Sequence, residues 1–195
     1  MRTIKIFTSA MLLLAVFSVH AQQKGTSKGQ NKNSVTVSKN HNTQTKQVSR
    51  NQVTYKKSEP QVVARRSTAN TTMKTVSHNN KNYYVDNGTY YRSYNNNYIK
   101  VAPPTGLVIS TLPSGYFTIH IDTRNYFYYE GVYYQNSGNG YAVTTPPVGT
   151  IVYALPADYE KVAVDGIAYY EYSGVLYSKV RYDGERAYEV VGYLN

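Results

Sequence analysis

The sequence predicts an all-β fold: tandem tyrosine-rich hairpin units, interlocked in a small sandwich or barrel-like domain behind a disordered tail. Three observations carry that expectation. Gly88, Gly131 and Gly174 stand 43 residues apart, and Pro103-Pro104 and Leu112-Pro113 recur at the same step as Pro146-Pro147 and Leu155-Pro156. Each of the three glycines sits in a turn signal flanked by aromatic pairs. No window carries a 3.6-residue apolar period, so helix is expected to be scarce.

The first element is a leader. Arg2 and Lys5 precede an apolar run, Ala10 to Val19, and Val19-His20-Ala21 offers small residues at the −3 and −1 positions, which predicts cleavage between Ala21 and Gln22. The run is shorter than the roughly 18–20 apolar residues of a transmembrane span. Residues 1–21 therefore read as a signal peptide, and the chain as exported with no transmembrane segment. Cysteine is absent, so stability must come from packing without disulfides.

Residues 22–80 are rich in Asn, Gln, Ser, Thr and Lys, with Tyr55 the sole aromatic. Such a segment buries too little apolar surface to offset the entropy of ordering it. It is expected to be a disordered linker whose ends lie roughly 40–45 Å apart. It holds eleven Lys and Arg against one acid, Glu59, whereas residues 81–195 hold eight against ten, so the net charge of +10 belongs to the N-terminal part. A basic tail suits anionic envelope polymers. The slightly acidic domain argues against nucleic acid.

The repeat domain is expected over 81–195, in units of about 82–124, 125–166 and 167–195. Centring a two-residue loop on Asn87-Gly88, Glu130-Gly131 and Ser173-Gly174 pairs Tyr84 with Tyr91, Phe127 with Tyr134, and Tyr170 with Tyr177. Strands follow at Tyr98–Val101, Tyr141–Thr144 and Tyr188–Val191, stopped in the first two units by prolines that lack a ladder donor. Phe117–Ile121 and Lys161–Val164 read as further strands. The third unit lacks the second half of the pattern, as a capping unit would. Of the 23 tyrosines, 22 lie in this region, and buried ones must place their hydroxyls on a partner or near water.

The chemical inventory is thin. Beyond the leader the histidines are His41, His78 and His120, and alternation sends His120 to the face opposite Ile119 and Ile121. No G-x-S-x-G elbow accompanies it. No zinc or EF-hand signature is present, and no cofactor is called for. The acids Asp86, Asp122, Glu130, Asp165, Asp183 and Glu185 fall at turns. A carboxylate pair meeting in space remains open to a cell-wall hydrolase.

If Phe127, Tyr129, Val132 and Tyr134 face the core, Tyr126, Tyr128 and Tyr133 face outward, with Tyr83 and Tyr90 their first-unit counterparts. These five are the candidate ligand-stacking residues for a glycan or peptidoglycan, unless a second layer covers them. The expected function is a non-enzymatic envelope or surface protein, structural or adhesive. Its partners would be a cell-wall or surface polysaccharide or an envelope protein.

The unit Tyr126-Phe127-Tyr128-Tyr129-Glu130-Gly131-Val132-Tyr133-Tyr134, with Pro146-Pro147-Val148-Gly149 and Leu155-Pro156-Ala157, resembles an exported bacterial family of unassigned function. Its pattern runs Y-Y-Y-x-x-G-V-Y-Y, P-P-x-G, L-P-x-G-Y. Leu112-Pro113-Ser114-Gly115-Tyr116 fits it closely, while the second unit departs with Asp158 in place of glycine. The resemblance covers about 82–195 and transfers no catalytic residue. It implies a periplasmic or extracellular setting in a Gram-negative bacterium.

Overall fold

The computed structural model describes residues 34–37, 46–57, 62–66 and 72–195, all within one compact unit, Asn31–Asn195. The expected leader and its cleavage site lie outside the described residues. Four short strands come first: β1 (Ser34–Val37), β2 (Lys46–Val48), β3 (Val53–Tyr55) and β4 (Ala64–Arg66). Then come β5 (Lys74–His78), β6 (Lys81–Asp86), β7 (Thr89–Tyr94), β8 (Asn97–Lys100) and the two-residue β9 (Val108–Ile109). The next set is β10 (Phe117–Ile121), β11 (Arg124–Tyr129), β12 (Val132–Ser137), β13 (Gly140–Thr144) and β14 (Ile151–Val152). The last is β15 (Glu160–Val164), β16 (Ile167–Tyr172), β17 (Val175–Tyr182) and β18 (Glu185–Leu194). A single 3-10 turn, Arg50–Gln52, is the one helical element among the described residues.

The fold is all-β, and the repeat is visible as three four-stranded meanders, β5 to β8, β10 to β13 and β15 to β18. The hairpins form in the expected register: Tyr84 opposite Tyr91, Phe127 opposite Tyr134, Tyr170 opposite Tyr177. Their turns place both loop residues at positive φ (Asn87 and Gly88, Glu130 and Gly131, Ser173 and Gly174), the backbone of a type I′ turn. The meander starts earlier than the sequence units, because β5, β10 and β15 each pair with the strand that follows. A boundary at 80/81 therefore divides the hairpin in which His78 faces Lys81.

The units interlock through the P-P-x-G loops. Gly106 N–H donates to the Val143 carbonyl and Val143 N–H to Leu107, both at 2.8 Å, and Gly149, Val190 and Thr150 repeat the pattern one unit on (2.8 and 2.9 Å). Each loop thereby lends a two-residue strand to the next sheet, β9 to β13 and β14 to β18.

The 22–80 segment departs from expectation where it is described. β1 pairs parallel with β10, β2 parallel with β18, β3 antiparallel with β15, β4 antiparallel with β8, and β5 opens the first meander. These stretches have too little apolar surface to fold alone, but an existing sheet edge supplies a row of unpaired backbone groups that a short Val/Thr alternation can satisfy. Composition sees the stretch and not the edge. The 46–55 stretch joins the two margins of the third sheet, consistent with a barrel-like sandwich.

Three apolar layers result. Tyr83 and Tyr90 of the first sheet pack with Val132, Tyr134 and Val143 of the second. The other face of the second sheet, Tyr126, Tyr128 and Tyr133, packs with Val175, Tyr177 and Val190 of the third. The outer face of the third sheet, Val162, Val164 and Leu176, is covered by Val48, Val53 and Leu194. Between layers, the hydroxyls of Tyr90 and Tyr134 lie 3.0 Å apart and those of Tyr133 and Tyr177 3.2 Å apart, each pair buried.

Removing one hydroxyl from a pair leaves the other buried without its partner, at a cost of about 1–3 kcal/mol. Tyr90→Phe or Tyr134→Phe alone should lower stability by that amount in denaturant unfolding. The double variant should be no worse than either single. Additive losses would show that the pair is not coupled.

Candidate functional site

The five tyrosines proposed for ligand stacking do not form a surface strip. Tyr90 is 1 % exposed, Tyr133 2 %, Tyr126 5 %, Tyr83 8 % and Tyr128 9 %. Tyr83 and Tyr90 lie between the first and second sheets, the other three between the second and third. A sugar ring cannot reach a face that another sheet occupies. Alternation correctly divides the strand into two faces, but both faces of the middle sheet are interior. The Tyr128 hydroxyl donates to the Ala154 carbonyl at 2.8 Å, and burial pushes the hydroxyls of Tyr90, Tyr128 and Tyr133 above the ordinary tyrosine value.

His120 takes the expected place, half-buried between the buried Ile119 and Ile121, with its Nδ1 2.7 Å from Asn125 Oδ1. Asp158, the departure from the repeat pattern, accepts from Lys100 Nζ with both carboxylate oxygens (2.7 and 2.9 Å). That ion pair ties the first meander to the loop after β14. Among the described residues no group of three His, Asp or Glu is placed to hold a metal ion, and no helix is long and apolar enough to cross a membrane.

The chemistry that the structure does gather lies on the outer face of the third sheet. Glu160 and Glu171 are direct cross-strand partners on β15 and β16, and both are buried. They share that face with Val162, Val164 and Leu176. Glu171 Oε1 accepts from the Gly174 amide at 2.7 Å, closing the β16–β17 hairpin turn. Arg50 and Tyr55 approach from the 46–55 stretch, which forms a strap between β18 and β15. The charge of Arg50 acts on Glu171, and Tyr55 feels Arg50 and both acids.

The strap is held at each end. Arg50 N–H donates to the Asn195 carbonyl (3.2 Å), Asn195 N–H to Val48 (3.0 Å), and Lys56 N–H to Lys161 (3.0 Å). Beside it runs a groove of about 530 Å³ lined by Gln47, Arg50, Pro146, Pro147, Gly174 and Tyr193. The Tyr193 hydroxyl donates to the Pro146 carbonyl in its wall.

Burial raises the Glu171 carboxyl above the ordinary value, and the neighbouring Glu160 adds to the rise; the Gly174 amide and Arg50 oppose it without cancelling it. Two buried acids and an arginine are a recognised signature of function. Here, however, the geometry engages Glu171 in closing a turn, on a face that Val48 and Val53 cover. The acid pair had no sequence signal of its own. Glu160 and Glu171 are eleven residues apart, and only the β15–β16 register brings them opposite one another.

A carboxyl whose value is raised on folding contributes stability below the ordinary carboxylate range and loses it as pH rises through the folded value. Glu171→Gln keeps an acceptor for Gly174 and cannot ionise. Its melting temperature should gain on the parent as pH rises from about 4 to 7. A difference that is flat, or that reverses, would remove the electrostatic account of the pair.

Comparison with known proteins gives one result: a family model described as "Family of unknown function (DUF6515)" matches residues 39–193. No curated protein and no solved structure matches. The match takes in β2, β3, β4 and β5 as well as the tyrosine-rich units, so the family model covers the edge-pairing segments from β2 on, while β1 lies before it. The chain belongs to the family of unknown function DUF6515.

Proposed function

We propose that this protein is exported and serves as a non-enzymatic scaffold of the envelope or cell surface, structural or adhesive in role. The observation that carries the reading is the repeated contact between layers. Buried tyrosine hydroxyls pair across the sheets at Tyr90–Tyr134 and Tyr133–Tyr177. The buried Glu171 closes a turn, and Asp158 fastens Lys100. Groups able to act in acid–base chemistry, or to stack on a ligand, are thus engaged in holding a rigid stack.

The leader pattern ending at Ala21 supports export. The basic character of residues 22–80 supports contact with anionic envelope polymers, and a wall polysaccharide or envelope protein is the partner class that suits such a scaffold. The glycan-stacking version of the reading has lost its carrier with the burial of the five tyrosines.

The test begins with the protein's own N-terminus. Mass spectrometry of the chain recovered from its host should find Gln22 first, in the envelope or medium fraction. A full-length chain confined to the cytoplasm would defeat the export reading. Turnover of cell-wall glycan by the purified protein, abolished in Glu160→Gln or Glu171→Gln, would replace the scaffold with an enzyme.

A further inference from the structure

The three meanders are equivalent, but their first strands are not equally covered. On β10 the outer edge is taken by β1, and on β15 by β3. On β5, the same strand of the first meander, no described segment pairs with the outer edge. The other sheet margins among the described residues are strands of two to four residues added by loops or by the N-terminal part: β1, β9, β2, β14, β3 and β4. A five-residue strand of a meander, left open, is a template for another chain.

The backbone groups on offer follow from the hairpin. Asn79 and Asn80 both lie at positive φ, and His78 is opposite Lys81, so this two-residue turn makes His78 and Lys81 a hydrogen-bonded pair. Alternation then sends the N–H and C=O of Val76 towards Tyr83, and those of Thr75 and Ser77 to the open edge. The third meander confirms the parity. Lys161 occupies the position of Thr75, two units of 43 residues on, and its carbonyl accepts from Lys56 of the added segment.

The two occupied edges also show what side chain the position takes. Val35 sits opposite Ile119, and Tyr55 opposite Val162. Ile119 and Val162 are the counterparts of Val76. Beside β5 lies a groove of about 670 Å³ of mixed lining, with Val76, Val85 and Leu112 among its apolar residues and Thr75, Asp86 and Ser110 among its polar ones. At the corresponding place in the second meander, Val35 is buried in the core. Among the described residues, no apolar side chain stands opposite Val76 on the outer edge of the first meander.

We infer that β5 pairs antiparallel with β5 of a second copy of this chain, about a two-fold axis at Val76. A two-fold interface requires a self-complementary strand, and Lys74-Thr75-Val76-Ser77-His78 is one. Thr75 falls opposite Ser77 of the other copy, forming the hydrogen-bonded pairs on both sides of the axis. Val76 meets Val76 in the close, non-hydrogen-bonded position, and each supplies an apolar side chain to the other's groove. Lys74, the strand's one full charge, lies at the end of the pairing. Antiparallel addition at this edge already has a precedent in β3 on β15. The contact is smaller than the 1,200–2,000 Å² or so of a standard interface, so the dimer should form only at high concentration. The inference goes beyond the scaffold reading and stands or falls without it.

The chain has no cysteine, which makes crosslinking specific. Val76→Cys in the full chain should form a disulfide-linked dimer at least about tenfold faster than Tyr94→Cys, an exposed control on the same sheet, because close antiparallel pairs meet the geometry of the bond. The unsubstituted protein should show a concentration-dependent dimer by sedimentation. Thr75→Pro removes an outward N–H without touching the β5–β6 ladder, so it should abolish that dimer with its melting temperature kept. A chain that stays monomeric up to about 1 mM, or equal crosslinking rates at 76 and 94, overturns the proposal. So does a dimer that survives Thr75→Pro.

Discussion

Four tyrosine hydroxyls buried between sheets must each meet a partner, and that requirement orders the stack. An unmatched buried hydroxyl costs about 1–3 kcal/mol, a large share of the 5–15 kcal/mol by which a domain is stable. The partners are separated by 44 residues, one more than the repeat. The extra residue has a simple origin. Tyr133 and Tyr134 are neighbours on one strand and point to opposite faces, so the middle sheet sends one hydroxyl down to Tyr177 and the other up to Tyr90. A period of 43 with an adjacent tyrosine pair is therefore a rule for stacking: the middle sheet is bound to the one before it and the one after it by the same contact.

The turn glycines complete the lock. At Gly88 a side chain would run into Tyr129 and Pro113, and at Gly131 into Tyr172 and Pro156. The hairpin tips of the first two sheets are thus each covered by an aromatic ring and a Leu-Pro proline, both 43 residues further on at the second occurrence. This gives the repeated glycines and the Leu-Pro element one shared explanation. The glycines are needed for the positive φ of the turn and equally for the approach of the next unit.

Much of this was legible in the sequence and part was not, for physical reasons. Hairpin register followed from turn chemistry, which is local: Asn87-Gly88 fixes Tyr84 opposite Tyr91 whatever surrounds it. The faces of β11 and β12 also followed, since alternation is a property of the strand. Whether a face meets water is not local, and here the expected exposed strip of Tyr126, Tyr128 and Tyr133 turned out to be the contact with the third sheet. The strands at 34–37, 46–48, 53–55 and 64–66 were missed because their stability comes from the edges they join. The Glu160–Glu171 pair was missed because no spacing rule connects two acids that only a sheet register brings together.

The same positions explain why the stack ends where it does. The series Tyr90, Tyr133, Leu176 keeps the hydroxyl in the first two sheets and drops it in the third, where the facing surface is the strap bearing Val48 and Val53 rather than another tyrosine. At Gly174 the ring-and-proline cover is replaced by Arg50. At the opposite end Asp86 holds the place of Tyr129 and Tyr172 and is paired with Arg65. A second copy stacked face to face on either end would have to bury Leu176 against a tyrosine hydroxyl or bring a charged Asp86 to a turn glycine. Both contacts leave polar groups unmatched in an apolar layer. Side-chain choice thus disfavours growth along the stacking axis at both ends, while among the described residues the sheet edge at β5 carries no such device beyond a single terminal lysine. Association through that edge satisfies backbone groups and places a valine over the apolar part of a groove of mixed lining, without disturbing a layer.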